Sequence, residues 1–118
     1  DAFFEEGSAE LNIEEARGTL LNLAKFFASP EVAGRRWRIE GHTDNRPVPA
    51  SSIYPSNWEL SAARAANVLH YLADFGVDEQ QFSIAGYADT RPKLSNDTAE
   101  GRAYNRRVDV IVLDDGHF

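Results

Sequence analysis

At 118 residues with 42% hydrophobic side chains, the chain has the size and apolar content of one domain folded round one core. A net charge of −7 argues against a nucleic-acid partner, which calls for a basic stripe, and against global steering toward any polyanion. The lack of cysteine excludes disulfide staples, thiolate metal sites and cysteine nucleophiles, and no apolar run approaches the ~20 residues of a membrane-spanning helix.

In chain order, residues 2–4 read as a short first strand and 4–11 as a turn-rich lead-in. Asn12 at an N-cap, with Glu15 three residues on, predicts a capping box. The helix it opens is expected over 13–28, with Ile13, Ala16, Leu20, Leu23, Ala24 and Phe27 at helical period. Gly18 costs it ~1 kcal/mol relative to alanine. Ser29-Pro30 ends it, because a residue before proline avoids the α region. Residues 36–42 alternate, with Trp37, Ile39 and Gly41 facing one way and Arg36, Arg38 and Glu40 the other, as in a half-buried strand.

A loop follows over 43–55, stiffened by Pro47, Pro49 and Pro55. Ser56 is expected to cap a second helix, with Glu59 at its third position and Gly76 just past its end. The apolar stripe of that helix reads as Trp58, Ala62, Ala65, Leu69 and Leu72. Residues 81–87 form the next strand, with Phe82 and Ile84 on one face. The stretch 88–97 is polar and turn-rich. Thr98 caps a short helix through Tyr104. Residues 107–113 form the last strand, with Val108, Val110 and Val112 on one face and Asp109, Ile111 and Leu113 on the other. Residues 114–118 read as a loose tail. No repeat, low-complexity run or linker divides the chain, so 1–118 is expected as a single domain with its core at about 3–113. The order β-α-β-α-β-(short α)-β favours parallel strand pairs with helices packed on the sheet.

The stretch 39–64 concentrates the chemistry. The strand end delivers Thr43 and Asp44. Asn57, Leu60, Ser61 and Arg64 fall on one face of the second helix, apart from its expected apolar stripe. A carboxylate, an amide, a hydroxyl and a guanidinium thus meet beside a strand end, which suits a small zwitterionic ligand. Each also has an ordinary structural reading: Asp44 as a turn residue, Arg64 as a solvated side chain or a partner of Asp44 or Glu59. Asp44 and Arg64 are expected to be partly exposed. Trp58 is expected to anchor the helix to the core rather than to stack on a sugar. His42 and Asp44, two apart on a strand, suggest a metal or an acid–base pair. Yet a catalytic zinc usually takes three protein ligands, and the other histidines, His70 and His117, lie on a distant helix end and in the tail. No G-x-S-x-G elbow is present; Ser51, Ser52 and Ser56 read as turn and cap residues. G-Y-A-D-T lacks the glycines and lysine of a phosphate loop. No catalytic residue, metal or cofactor is expected.

The motifs G-H-T-D-N (41–45), N-x-x-L-S-x-x-R-A (57–65), G-Y-A-D (86–89), T-A-E-G-R (98–102) and N-R-R-V (105–108) together resemble the OmpA-like C-terminal domain, a periplasmic module that binds peptidoglycan without chemistry. The version P-S-N-W-E-L-S-A-A-R-A (55–65), after a lengthened proline-rich loop, is similar to the MotB family of flagellar stator proteins. A similar stretch occurs in wall-anchoring domains of type VI secretion proteins of the TssL class. The resemblance implies a two-layer α/β sandwich with the last strand antiparallel. It implies that Asp44 contacts the diaminopimelate of the stem peptide and that Arg64 is the second principal contact. Leu60 packs the pocket wall, Ser61 stabilises local structure and Arg106 lies near the pocket. Asn105 and Arg107 are structural. Thr43 and Asn57 complete the ligand set. The implied partners are peptidoglycan, a second copy in a homodimer, and a membrane-embedded MotA-like stator protein reached through a region upstream of Asp1, where an export signal or anchor is expected. Since peptidoglycan is itself anionic, affinity has to come from local complementarity. The proline-rich loop is extra to the plainer pattern, so shortening it is expected to spare binding.

Overall fold

The computed structural model describes residues 3–113. Helix α1, Ile13–Phe27, buries a narrow stripe of Ala16, Leu20, Ala24 and Phe27. Asn12 stands at its N-cap without making a side-chain cap bond. Its backbone N–H is instead tied to Phe3 O at 2.8 Å, so the lead-in backbone sets the start of the helix. A 3₁₀ turn, Pro30–Val32, follows the break at Ser29 and leads into strand β1, Arg36–Gly41. Helix α2, Asn57–Asp74, starts where Ser56 Oγ accepts the Trp58 N–H at 3.2 Å, and ends at Gly76, whose φ of +101° is the left-handed turn expected there. Strand β2 is Phe82–Gly86, helix α3 is Ala99–Asn105 capped by Thr98, and strand β3 is Val108–Leu113.

The sheet order is β2-β1-β3, with β1 parallel to β2 and antiparallel to β3. Helices α1 and α2 lie on one face, giving two layers. Between them sits a core of Phe4, Leu20, Phe27, Trp37, Ile39, Ala65, Val68 and Leu72. Val108 and Val110 pack against it from β3 as the alternation predicts, while Val112 is half exposed. The expected first strand is a correction. Phe4 makes only an isolated antiparallel bridge with Leu11, and the other end of that stretch, Ala2, lies outside the described residues, as does the expected tail 114–118. The lead-in backbone is satisfied by side chains rather than by a ladder, as described below. Among the described residues, no helix is long and apolar enough to cross a membrane.

Candidate functional site

Two glycines place α2 over the ends of the parallel strands. Gly41 and Gly86 are register partners and close β1 and β2. A Cβ at Gly41 would overlap the Ser61 carbonyl, and one at Gly86 would lie 2.6 Å from Ala62 N and Ser61 Oγ. Helix backbone therefore rests directly on sheet backbone at this point. Ser61, fully buried, donates to Trp58 O at 3.0 Å and accepts the Ala88 N–H at 3.0 Å. That bond helps hold Ala88 at φ +53°, a left-handed conformation costing an alanine about 1 kcal/mol. The Ala88 carbonyl in turn accepts the Thr43 N–H at 2.9 Å. The motif residues at the two strand ends are thus one hydrogen-bonded unit, outside the carboxyl ends of parallel strands, where α/β folds place ligands.

Asp44 is 3% exposed, not partly exposed as the sequence suggests. Its Oδ1 accepts the Arg46 N–H at 3.0 Å, and its Oδ2 pairs with Arg106 Nη1 at 3.0 Å. Thr43 Oγ1 donates to the Asp44 carbonyl at 2.8 Å. Arg64 is 0% exposed, a second correction. It donates to three carbonyls: Nε to Ser8 at 2.9 Å, Nη1 to His42 at 3.0 Å and Nη2 to Glu5 at 2.9 Å. The Phe4 ring lies 5.1 Å from its guanidinium carbon. Burial pulls its pKa down from 12.5 to about 10, with Arg106 adding to the effect and Asp44 opposing it, so it stays charged at neutral pH.

These bonds make the lead-in a strap across the site. Besides Arg64, Arg106 Nε donates to Phe4 O at 3.3 Å and Asn67 Nδ2 to Ala9 O at 2.8 Å. The proline-rich loop braces the strap. Ser52 Oγ donates to Gly7 O at 2.9 Å, and a Cβ at Gly7 would lie 2.7 Å from Pro49 Cδ. That loop is therefore tied to the strap that covers the site rather than appended to the surface.

The helix faces differ from the expected ones. Ala65 and Leu72 of the expected apolar stripe are buried, but the face expected to serve a ligand is buried as well: Leu60 at 2%, and Ser61 and Arg64 at 0%. Asn57 is half-buried at the helix start and donates to Arg46 O at 3.0 Å. Trp58, expected in the core, is 55% exposed at the rim. Trp58 shares the helical face of buried Ala65 but stands in the first turn of α2, seven residues before it. Asn105, fully buried, accepts from Lys93 N and Leu94 N and donates to Leu94 O and Asn96 Oδ1, so its role in holding the 93–96 loop is structural as expected.

His42 and Asp44 do not converge. His42 stacks on Tyr87 with ring centroids 5.4 Å apart, and its Nε2 lies 3.4 Å from Asp109 Oδ2. Burial and then Arg107 push its pKa below the usual 6.5, against the pull of Asp109 and Glu40. Among the described residues, no group of three or more His, Cys, Asp or Glu side chains is placed to hold a metal.

Arranged this way, Asp44 stands with two guanidiniums, Arg64 and Arg106, and is the one carboxylate ion-paired with either among the described residues. The OmpA family matches residues 3–106. The chain belongs to that family. This OmpA-family domain is 40% identical over 117 residues to motility protein B of Bacillus subtilis, which covers 97% of the chain. It spans only 42% of that relative's length. The C-terminal domain of Helicobacter pylori MotB superposes with a TM-score of 0.82 at 30% identity, covering 99% of this chain and 87% of that one. The cell wall anchor of the Pseudomonas aeruginosa type VI secretion system superposes at 0.73 with 39% identity, covering 91% of this chain and 71% of that one.

Proposed function

We propose that this OmpA-family domain binds peptidoglycan without chemistry, through the diaminopimelate of the stem peptide, and so anchors a flagellar stator unit to the cell wall. The observation that carries the reading is the buried cluster of one carboxylate and two guanidiniums, Asp44 with Arg64 and Arg106, at the strand ends of a chain similar to stator and wall-anchor domains. The cluster holds one positive charge more than its own carboxylate balances, inside a chain of net charge −7. A zwitterionic ligand fits it. Asp44 takes the ammonium, and Arg64, with three of its N–H groups committed to carbonyls, offers the rest to the carboxylate. Thr43 and Arg106 orient Asp44, Leu60 walls the pocket and Asn57 holds the loop at its edge. Entry requires the exposed Glu5–Glu6 turn of the strap to lift from Arg64. The domain works in the periplasm, as a homodimer, joined through an upstream region to a membrane-embedded MotA-like partner. The likeness to a secretion-system wall anchor favours a second reading, in which the same wall contact serves a TssL-class protein. An upstream single membrane helix bearing an acidic residue would select the stator.

Purified sacculi test both readings against catalysis. The protein is expected to pellet with sacculi and to leave the supernatant free of muropeptides, and Asp44→Asn is expected to pellet at least tenfold more weakly. Soluble fragments, or no pelleting at any salt, would overturn the proposal.

A further inference from the structure

Arg106 has two sides. One holds Asp44; the other helps wall a cavity of about 270 Å³, together with Phe3, Ala103, Tyr104, Arg107 and Asp109. That volume suits a group the size of an amino acid. Arg107 Nε donates to Asp109 Oδ2 at 3.1 Å and Nη2 to Arg91 O at 2.9 Å. Its Nη1 is buried and has no acceptor among the described residues. Asp109 cannot balance this wall alone, because Lys93 Nζ at 3.9 Å converges on the oxygen that Arg107 already holds. Positive charge is therefore in surplus here too. Tyr104, 53% exposed, and Phe3 supply an apolar flank.

We propose that this cavity is a second subsite, which takes the carboxylate end of an amino acid or short peptide. Arg106 and Arg107 hold the carboxylate, and the ring of Tyr104 covers its aliphatic stem. A monoanion fits better than a phosphate dianion, because Asp109 already stands in the wall and repels a second negative charge. Arg106 joins the subsite to Asp44, so one ligand spans both. On the peptidoglycan reading, on which this rests, the zwitterionic end of diaminopimelate lies at Asp44 and its chain-terminal carboxylate lies in the cavity.

The probe is the tripeptide L-alanyl-γ-D-glutamyl-meso-diaminopimelate, titrated by calorimetry with its chain-terminal carboxylate free or amidated. Amidation is expected to weaken binding to the parent about tenfold, the loss of one charge-assisted contact. Arg107→Gln is expected to lose as much for the free carboxylate and nothing further on amidation. Tyr104→Glu sits at a half-exposed position that spares the fold, and it sets a carboxylate at the rim. It is expected to weaken the free peptide about five- to tenfold and the amide less than twofold, which tests the subsite even if Arg107→Gln does not fold. An amidation cost that is absent in the parent, or equal in parent and variants, overturns the subsite. A parent that pellets with sacculi yet binds neither peptide also overturns it and leaves wall binding standing. A parent that binds neither sacculi nor peptide overturns both.

Discussion

Arg64 shows how far one side chain can differ from its sequence signature. From spacing it reads as a partly exposed ligand contact; in the fold it has no exposed surface and binds three backbone carbonyls, two on the lead-in strap and one at the end of β1. Arg64→Ala therefore strips the N–H donors from the carbonyls of Glu5, Ser8 and His42. The first is exposed and the second half-buried, so both regain water, while the third stays buried. A loss of about 2–3 kcal/mol follows, read as a lower midpoint in urea unfolding. Arg64→Lys keeps the charge without the planar fork and should recover part of that loss. An unchanged midpoint for Arg64→Ala would show that the strap is not held by these bonds. His42 carries the pH dependence at this scale. Burial and Arg107 lower its folded pKa below 6.5, the value it resumes on unfolding. Above that pH the group is neutral in both states and adds no slope. Below it, the unfolded chain binds the proton first, so stability falls with falling pH until the folded value is passed. Urea midpoints at pH 7.5 and 5.5 should therefore differ, and His42→Gln should shrink the difference.

The elements were largely legible because their signals are local. Ser56, Thr98 and Gly76 mark helix ends by what their own side chains or φ angles can do, and the valine alternation of β3 needs only its own pleat. The lost signals are those set by contacts between distant segments. Trp58 reads as core because it keeps the period of Ala65 and Leu72, yet it stands in the first turn of α2, and nothing in that helix announces that Gly41 and Gly86 draw Ser61 onto the sheet. The signal that could have shown it is the pair of I-x-G endings, I-E-G and I-A-G, closing both strands. The strand expected at 2–4 fails for a related reason: the carbonyls of Phe4, Glu5 and Ser8 are bound by arginines that lie far along the chain. The notch makes a sharp prediction. Gly41→Ala forces a methyl into the Ser61 carbonyl, and backbone cannot rotate aside as a side chain would. A destabilisation of roughly 3 kcal/mol or more is expected, whereas Gly18→Ala, which meets nothing within 4 Å inside α1, should stabilise by up to about 1 kcal/mol. Equal effects of the two would show that α2 does not rest on the strand end.

At the scale of the whole molecule, charge sets a problem that the site has to solve. A chain of net charge −7 approaches an anionic wall, so the long-range field opposes the encounter. The contacts assigned to binding are buried: Asp44 is 3% and Arg64 0% exposed, and the Arg106 side chain is 15% exposed. Salt screens the two contributions unequally. Exposed charges separated by more than ~10 Å are largely screened at 0.1 M, while contacts inside a closed site are screened much less. Raising salt from about 10 mM, where the screening length is ~30 Å, to about 150 mM, where it is ~8 Å, should therefore strengthen pelleting with sacculi or leave it level. Free meso-diaminopimelate carries no net charge at neutral pH, so its affinity should change little over the same range. Co-sedimentation and calorimetry across that salt series measure the two separately. A steep fall in sacculus binding with salt would mean that exposed lysines and arginines carry the attachment, and the buried cluster would lose its place as the site.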